Sequence, residues 1–174
     1  MKRFFTFILS LAVTVYAADK GSLPKMKLKD LDKNKVQLQS LTDDGPVLIN
    51  FWTLSCEPCK KEMVYLNEFH NRYAENQFKV YSINMDSPRS MSKVKAFVKS
   101  QEFDFTVLSD PRSQSFRKLG GKAMPFLILV NSDGTIYERH VGYNPGDEIA
   151  LEKEIKELIV HNVEGTVFDD KEEK

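Results

Sequence analysis

One stretch of the sequence, Val47 to Trp52, is almost continuously apolar and consists of strand-forming residues. A strand of this kind is buried on both faces of a sheet, which requires a layer of structure on each side. The following segment, Pro58 to Glu75, repeats apolar residues at three- and four-residue spacing and predicts an amphipathic helix. Downstream the two patterns alternate, with strands predicted at 78–85, 105–108, 125–130 and 136–141 and helices at 91–98, 113–119 and 148–160. This order predicts an α/β fold, a three-layer sandwich whose mixed central sheet is flanked by helices.

Upstream of the buried strand, Met26 to Leu31 and Lys35 to Leu38 alternate apolar and polar residues around Asp32-Lys33-Asn34. This pattern predicts an N-terminal β-hairpin. Internal repeats and low-complexity linkers are absent, so residues 18–174 are predicted to form one domain, with a core over about 26–160 and an acidic tail at 169–174.

The first residues are typical of an export signal. Lys2 and Arg3 precede an apolar run from Phe4 to Tyr16, and Ala17 provides a small residue for cleavage. A retained anchor is the alternative, but 15 helical residues span only about 22 Å and a hydrocarbon core is about 30 Å thick. We therefore expect residues 1–17 to be a signal peptide. The mature protein is expected to be periplasmic or otherwise extracytoplasmic and soluble, with membrane contact only if the segment is retained.

Charge and cysteine content exclude several classes of protein. Lys and Arg together number 25 and so do Asp and Glu, which gives no basic excess of the kind that nucleic acid selects. Cys56 and Cys59 are the only cysteines in the sequence. A multi-disulfide scaffold and a four-cysteine zinc site are therefore excluded.

The two cysteines lie in Cys56-Glu57-Pro58-Cys59, at the predicted start of a helix. Pro58 suits the first turn, where its missing N–H is not needed. The partial positive charge of a helix N-terminus favours a thiolate at Cys56, while Cys59 points beneath it. This asymmetry predicts that Cys56 attacks a partner sulfur and that Cys59 resolves the mixed disulfide.

Two other interpretations of the pair stay open at this point. A structural disulfide over so short a loop contributes only about 2 kcal/mol of loop-closure entropy. A metal site needs further ligands, and His70, His140 and His161 show no short spacing to the pair. A copper-binding carrier that uses both sulfurs is the realistic form of the second interpretation.

The segment Val47–Trp52 followed by Cys56-Glu57-Pro58-Cys59-Lys60-Lys61-Glu62 resembles the thioredoxin superfamily, and within it the exported TlpA/ResA-like thiol-disulfide oxidoreductases. A second signature, Ala123 to Ile128 followed by Asp133-Gly134-Thr135-Ile136, is similar to theirs. The likeness extends from about Met26 to Val160. It implies a thioredoxin-like fold and an enzyme that exchanges dithiols and disulfides through a redox-active Cys56–Cys59 disulfide, with no bound cofactor and no metal.

The resemblance also assigns residues around the cysteines. Pro125 aligns with the family's cis-proline, which shapes the site and keeps metal ions off the thiols, so it is placed with Cys56 and Cys59 in the catalytic set. The backbone of Met124 is expected to pair with an extended client segment, as an added strand. Trp52 corresponds to an aromatic residue beside the site and is expected to help bind the substrate, although an ordinary core position is the alternative.

Some positions depart from the family pattern. Ser55 replaces the tryptophan that usually precedes the first cysteine, and Asn50 replaces the buried acid of thioredoxin, so Asn50 cannot take up a proton. An acid elsewhere could serve, with Glu57 and Asp86 as candidates. Thr53 gives the Thr-x-x-Cys spacing of peroxiredoxins, but their upstream proline is missing, which leaves a thiol peroxidase as a third alternative.

The dipeptide Glu57-Pro58 is expected to tune the redox potential. The negative charge of Glu57 opposes the helix N-terminus and disfavours a thiolate at Cys56, whereas Lys60 and Lys61 act the other way. Glutamate here therefore indicates a reductant of other proteins' disulfides. The expected partners are client proteins with cysteine pairs, apocytochrome c among them by resemblance, and an extracytoplasmic thiol electron donor.

Overall fold

The computed structural model describes residues 20–169, and its strands form one seven-stranded sheet. The predicted signal peptide, 1–17, lies outside the described residues, as does the predicted acidic tail except for Asp169. The strands are β1 (Lys27–Asp30), β2 (Lys35–Gln37), β3 (Val47–Trp52), β4 (Lys79–Asn84), β5 (Thr106–Ser109), β6 (Phe126–Val130) and β7 (Ile136–Val141).

The strands follow the order β2-β1-β5-β4-β3-β6-β7 across the sheet. β3, β4 and β5 run parallel to one another, whereas β1 and β2, β1 and β5, β3 and β6, and β6 and β7 pair antiparallel. The sheet is therefore mixed, and β1 with β2 forms the predicted N-terminal hairpin.

Helices cover both faces of the sheet. They are α1 (Glu57–Arg72), α2 (Met91–Ser100), α3 (Gln114–Lys118) and α4 (Asp147–Asp169). Apolar residues of α1, α2 and α4 form one buried cluster with the sheet, and residues next to α3 join a second cluster on the opposite face. The predicted three-layer sandwich is confirmed. Within residues 20–169, none of the helices combines the length and the apolar character that crossing a membrane requires.

β3 is the central strand of this arrangement, and all six of its residues are buried. Leu48 and Trp52 contribute to the cluster that contains α1, and Ile49 and Phe51 contribute to the cluster on the other face. Because successive side chains of a strand point to opposite faces, a strand covered on both sides is apolar at nearly every position, as β3 is except at Asn50. This is why the sequence reveals β3 so clearly.

Within the predicted domain, buried residues begin earlier than the core range of about 26–160. Leu23 is buried, its N–H donates to the Gly134 carbonyl at 3.0 Å, and Ser22 forms a bridge with Thr135. These contacts attach the segment before the hairpin to the turn between β6 and β7. Pattern analysis missed them because they involve a single buried side chain and backbone groups.

The last helix also exceeds its predicted range, since α4 continues to Asp169 instead of ending at Val160. Asn162 explains the extension. Its side-chain oxygen accepts from the Ser132 backbone N–H at 2.7 Å and from the Ser132 hydroxyl at 2.8 Å, and its amide donates to the Leu158 carbonyl. A polar contact with the β6–β7 turn thus holds the helical turn that follows the predicted end at Val160.

The carboxyl ends of the parallel strands β3, β4 and β5 meet at one edge of the sheet. Because β6 is antiparallel to β3, the residues that precede Phe126 lie at this same edge. The segments 53–56, 85–86 and 124–125 are therefore brought together by topology. Loops beyond the carboxyl ends of parallel strands are the usual place for a functional site in open α/β sheets.

Candidate active site

Cys56 occupies the N-cap of α1, where β3 delivers the chain to the helix. Its backbone is extended, and its sulfur accepts a hydrogen bond from the Cys59 N–H at 3.3 Å. The first turns of a helix have unpaired N–H groups and a partial positive charge. The sulfur of Cys56 therefore sits where a thiolate gains most from the helix, as the sequence predicts.

Cys56 and Cys59 are joined by a disulfide with their Cα atoms 5.3 Å apart. The two sulfurs have different surroundings. Cys59 is fully buried in the same apolar cluster as Met63 and Leu66, whereas Cys56 is only partly buried. A partner sulfur can approach Cys56 from solvent, and Cys59 can be reached only from inside the site.

Asp86 holds the loop that leads to Cys56. Its carboxylate accepts from the Leu54 backbone N–H and from the Asn84 side-chain amide, both at 2.8 Å. The Asp86 N–H donates in turn to the Asn84 side-chain oxygen at 3.1 Å, and the Met85 N–H donates to the Trp52 carbonyl at 2.9 Å. Asp86 was one of the two candidate acids, and the structure makes it a loop anchor.

Glu57, the other candidate acid, points into solvent. It is the first residue of α1 and forms an ion pair with Lys60 at 2.5 Å, with 73% of its side chain exposed. Lys60 also lies 5.7 Å above the ring of Phe97. The negative charge that was expected to disfavour a thiolate at Cys56 is thus partly balanced by a cation held in place. Pro58 follows in the first turn, where its missing N–H leaves no bond unmade.

The Met124–Pro125 peptide bond is cis. Pro125 is buried immediately before β6, and its carbonyl accepts from the Gly142 N–H at 2.7 Å. Met124 is exposed at 38%, at the same edge of the sheet as Cys56. The structure therefore brings the predicted catalytic proline and the predicted client-pairing residue to the cysteine end of β3.

Trp52 requires a correction. Its side chain is fully buried and packs against Phe97 with ring centroids 5.4 Å apart. A side chain with no exposed surface cannot contact a client in this conformation. Phe51 and Trp52 point to opposite faces of β3. Trp52 lies on the α1 face, in the same buried cluster as Cys59.

Glu62 is a site residue whose role the sequence did not predict. It lies one helical turn after Cys59, is 4% exposed, and has one carboxylate oxygen without a hydrogen-bond partner. Burial, and secondarily the charge of Asp147, raises the pKa of Glu62 to about 8. At neutral pH this buried acid holds a proton. The available signal was a charged residue on the apolar face of α1, between Cys59 and Leu66.

Asn50 occupies the place where thioredoxin has a buried acid. It is fully buried in β3, pairs in register with Ser82 of β4, and neither of its side-chain amide atoms has a hydrogen-bond partner. Asparagine takes up no proton, whereas the buried Glu62 carboxyl, one helical turn after Cys59, can hold one.

A model of the redoxin family matches residues 18–158. The chain belongs to this family. A thiol-disulfide oxidoreductase named ResA, from Bacillus cereus, is 30% identical over 126 residues, which are 72% of this chain and 71% of that protein. ResA from Bacillus subtilis is 28% identical, over 74% and 75% of the two chains.

The fold is similar to solved structures of thiol-disulfide exchange and thioredoxin-like proteins. A crystal structure described as the thiol:disulfide interchange protein DsbE from Chlorobium tepidum superposes with a TM-score of 0.72 and 29% identity, covering 79% of this chain and 95% of that one. A thioredoxin-like protein from Porphyromonas gingivalis gives 0.69 and 26%, over 79% and 91%. With its adjacent cysteine pair, this redoxin is a thiol-disulfide oxidoreductase of the ResA/DsbE type.

The structure offers little to the copper-carrier and peroxidase alternatives. Among residues 20–169, no group of three or more His, Cys, Asp or Glu side chains is arranged to hold a metal ion. The hydroxyl of Thr53, which suggested a peroxiredoxin, lies 3.1 Å from the Ser55 hydroxyl. Neither alternative gains a specific supporting contact.

Replacing Asp86 tests the loop anchor. We expect Asp86→Ala to lower the free energy of unfolding by about 1–2 kcal/mol, because it removes the acceptor of the Leu54 N–H. We also expect reduction of the Cys56–Cys59 disulfide by dithiothreitol to slow about three- to tenfold, because the loop loosens. Asp86→Asn keeps an acceptor oxygen but not the charge. We expect it to retain most of the stability and most of the reduction rate of the wild type. Urea titration and stopped-flow kinetics measure the two effects, and an Asp86→Ala variant unchanged in both would exclude the anchor.

The raised pKa of Glu62 predicts how stability depends on pH. Between about pH 4.5 and pH 8 the unfolded chain releases the Glu62 proton while the folded chain keeps it. The free energy of unfolding of the oxidised protein should therefore fall as pH rises through this window, and this contribution should level off above it.

Glu62→Gln should remove this fall. We expect the free energy of unfolding of the variant, relative to that of the wild type, to rise progressively from pH 4.5 to pH 8. The rise should be on the order of 3 kcal/mol at pH 8. Urea unfolding at several pH values measures the difference. Glu57→Gln removes the same charge from an exposed position of the same helix and serves as the control. A Glu62→Gln curve parallel to that of the wild type would contradict the assignment.

Proposed function

We propose that this oxidoreductase reduces disulfides of client proteins outside the cytoplasm. The observation that carries the proposal is the asymmetry of the cysteine pair, with Cys56 partly exposed on the N-cap of α1 and Cys59 buried beneath it. Such a pair can be attacked, or can attack, at one defined sulfur. A purely structural disulfide does not require one sulfur to be partly exposed and the other to be buried.

The reaction begins when the Cys56 thiolate of the reduced enzyme attacks one sulfur of a client disulfide. The client's S–S bond breaks, and its second sulfur leaves as a thiolate that takes a proton from water. A mixed disulfide now joins Cys56 to the client, and Cys59 is still a protonated thiol.

Resolution follows inside the site. In the molecules whose Glu62 is ionised, Cys59 gives its proton to the Glu62 carboxylate, and the resulting thiolate attacks the Cys56 sulfur. The mixed disulfide breaks, the Cys56–Cys59 disulfide forms, and the client sulfur leaves as a thiolate. Two electrons have passed from the enzyme dithiol to the client. Because the pKa of Glu62 is about 8, the ionised form is the minor one at neutral pH and grows as pH rises towards 8, so resolution should accelerate over this range.

The direction of electron flow is inferred from the residues between the cysteines. Glu57 places a carboxylate next to Cys56, where a strong oxidant would have a group that stabilises the thiolate. The Lys60 ion pair reduces this effect without reversing its sign. We therefore assign the enzyme to the reductant side of disulfide exchange.

The site of action and the partners rest on the sequence. The charged start and apolar run of residues 2–17 support export, and an exported reductant needs a thiol electron donor on the same side of the membrane. Client proteins with cysteine pairs fit the exposed Cys56. The TlpA/ResA resemblance favours apocytochrome c as one such client and a place in cytochrome c maturation.

Trapping of mixed disulfides tests both the roles and the direction. Purified Cys59→Ser protein, with a free Cys56 thiol and no added oxidant, should form a stable mixed disulfide with oxidised insulin, visible by non-reducing electrophoresis. Cys56→Ser is the matched control, because it keeps one thiol but buries it, and it should trap at least about tenfold less. Equal trapping by both variants would refute the assigned roles. Trapping of reduced insulin alone, after pre-oxidation of Cys56, would reverse the direction.

A further inference from the structure

A groove of about 680 Å³ lies beside the N-terminal hairpin, away from the cysteine pair. It runs between β1 and the first turns of α2 and ends at the loop that follows β5. Its floor is partly apolar, since Leu31 and Met91 border it and pack against the main core. Its basic lining residues are Lys27, Lys29, Lys33, Lys95 and Arg112, and we call it the basic groove.

The positive charge of the basic groove is largely unpaired. Lys95 forms an exposed ion pair with Asp32 at 3.1 Å. The other four basic side chains make no ion pair with any residue in the described range 20–169. Four unpaired cations around one groove stand out in a chain whose basic and acidic residues are equal in number.

The two acidic residues that line the basic groove are bonded elsewhere. Asp30 accepts from the Asp32 and Asn34 N–H groups, each at 2.8 Å, and hydrogen bonding, chiefly from the Asn34 side chain, lowers its pKa. Asp110 is buried and accepts from the Ser115 N–H at 2.7 Å and hydroxyl at 2.6 Å. Both carboxylates accept hydrogen bonds from the local backbone, and neither forms an ion pair with a basic residue of the groove.

The hairpin also places like charges opposite each other. Lys29 of β1 pairs in register with Lys35 of β2. Like charges directly across an antiparallel pair are destabilising. The fold thus keeps a repulsive pair next to a groove that already carries unpaired cations, and an anionic ligand would relieve both.

The basic groove opens at the same edge of the sheet as the cysteines. Residues 109–112 follow the carboxyl end of β5, and Lys27 begins β1, which is antiparallel to β5. Three strand intervals, from β3 through β4 and β5 to β1, separate this end of the groove from the strand that leads to Cys56. At about 4.8 Å per interval the separation is roughly 14 Å, which four or five extended residues can span.

We propose that the basic groove binds an acidic segment of the protein whose sulfur reacts at Cys56. This inference rests on the proposed function. It names the chemistry by which the enzyme would select its client. The charges fit a carboxylate-rich peptide, and the apolar floor fits side chains between the acids.

The test compares two disulfide peptides that differ only in charge. One carries Asp and Glu beginning five residues from its cysteine on either side, and the other carries Asn and Gln at those positions. Stopped-flow mixing with the fully reduced wild-type protein gives the second-order rate constant for each peptide. We expect the acidic peptide to react about tenfold faster at low ionic strength and less than about twofold faster in 0.5 M salt.

Charge reversal locates the effect. Lys29→Glu/Arg112→Glu should abolish the preference for the acidic peptide and leave the rate with the neutral peptide unchanged. The control, Lys99→Glu/Lys153→Glu, makes the same change in net charge at exposed helix positions outside the groove and should keep the preference. Equal rates for the two peptides with the wild type, or a preference lost equally in both double variants, would overturn the proposal.

Failure of the proposed function gives a different result. If neither peptide is reduced, the redox assignment fails, and anisotropy of a fluorescent acidic peptide lacking cysteine then tests the groove alone. Tighter binding to the wild type than to Lys29→Glu/Arg112→Glu supports the groove, and equal binding overturns it. Sedimentation with vesicles of anionic lipid that depends on Lys29 and Arg112, without any peptide preference, would assign the groove to a membrane surface instead.

Discussion

The hydrogen bond from the Cys59 N–H to the Cys56 sulfur is the contact on which the site depends. It makes a reactive sulfur the cap of α1, in a position that other helices fill with an oxygen of Ser, Thr, Asp or Asn. One contact therefore both starts the helix and places the sulfur in the field of the helix N-terminus. The exposed position of Cys56 and the buried position of Cys59 then follow from helical geometry.

The rest of the fold holds that cap in place. β3 is buried on both faces and fixes the point at which the chain leaves the sheet. Asp86 accepts the hydrogen bond that holds Leu54 in the following loop. Pro125, immediately before β6, lies at the same edge of the sheet. Beneath the cap, the apolar face of α1 carries Glu62 into the core one turn below Cys59, where burial keeps it protonated at neutral pH. A site for sulfur exchange and a group that holds a proton are thus built on one helix.

The sequence predicted the parts of this structure that depend on strong local patterns. The continuous apolar run of β3, the apolar spacing of α1 and the alternation in the hairpin each identify an element within a few residues. The position of Cys56 and Cys59 followed from helix geometry. The cis bond before Pro125 came only from family resemblance, because proline by itself favours the trans form.

Tertiary contacts decided what the sequence could not show. The full burial of Trp52, the anchoring role of Asp86 and the length of α4 each depend on a partner distant in the chain, such as Phe97, Leu54 or Ser132. Glu62 was visible as a charge on an apolar face, but surface glutamates are so common in helices that its burial required the packed structure. The basic groove likewise emerges only when β1, α2 and the loop after β5 are brought together.

Differential alkylation of the reduced protein tests the central claim most directly. The native dithiol is treated briefly with iodoacetamide at pH 7, quenched, and the label on each cysteine is quantified by peptide mass spectrometry, with a urea-unfolded sample as the reference for equal access. The account predicts that Cys56 is labelled at least about tenfold faster than Cys59 in the native protein and at a similar rate in urea. Equal labelling of the two cysteines in the native protein, or faster labelling of Cys59, would contradict it.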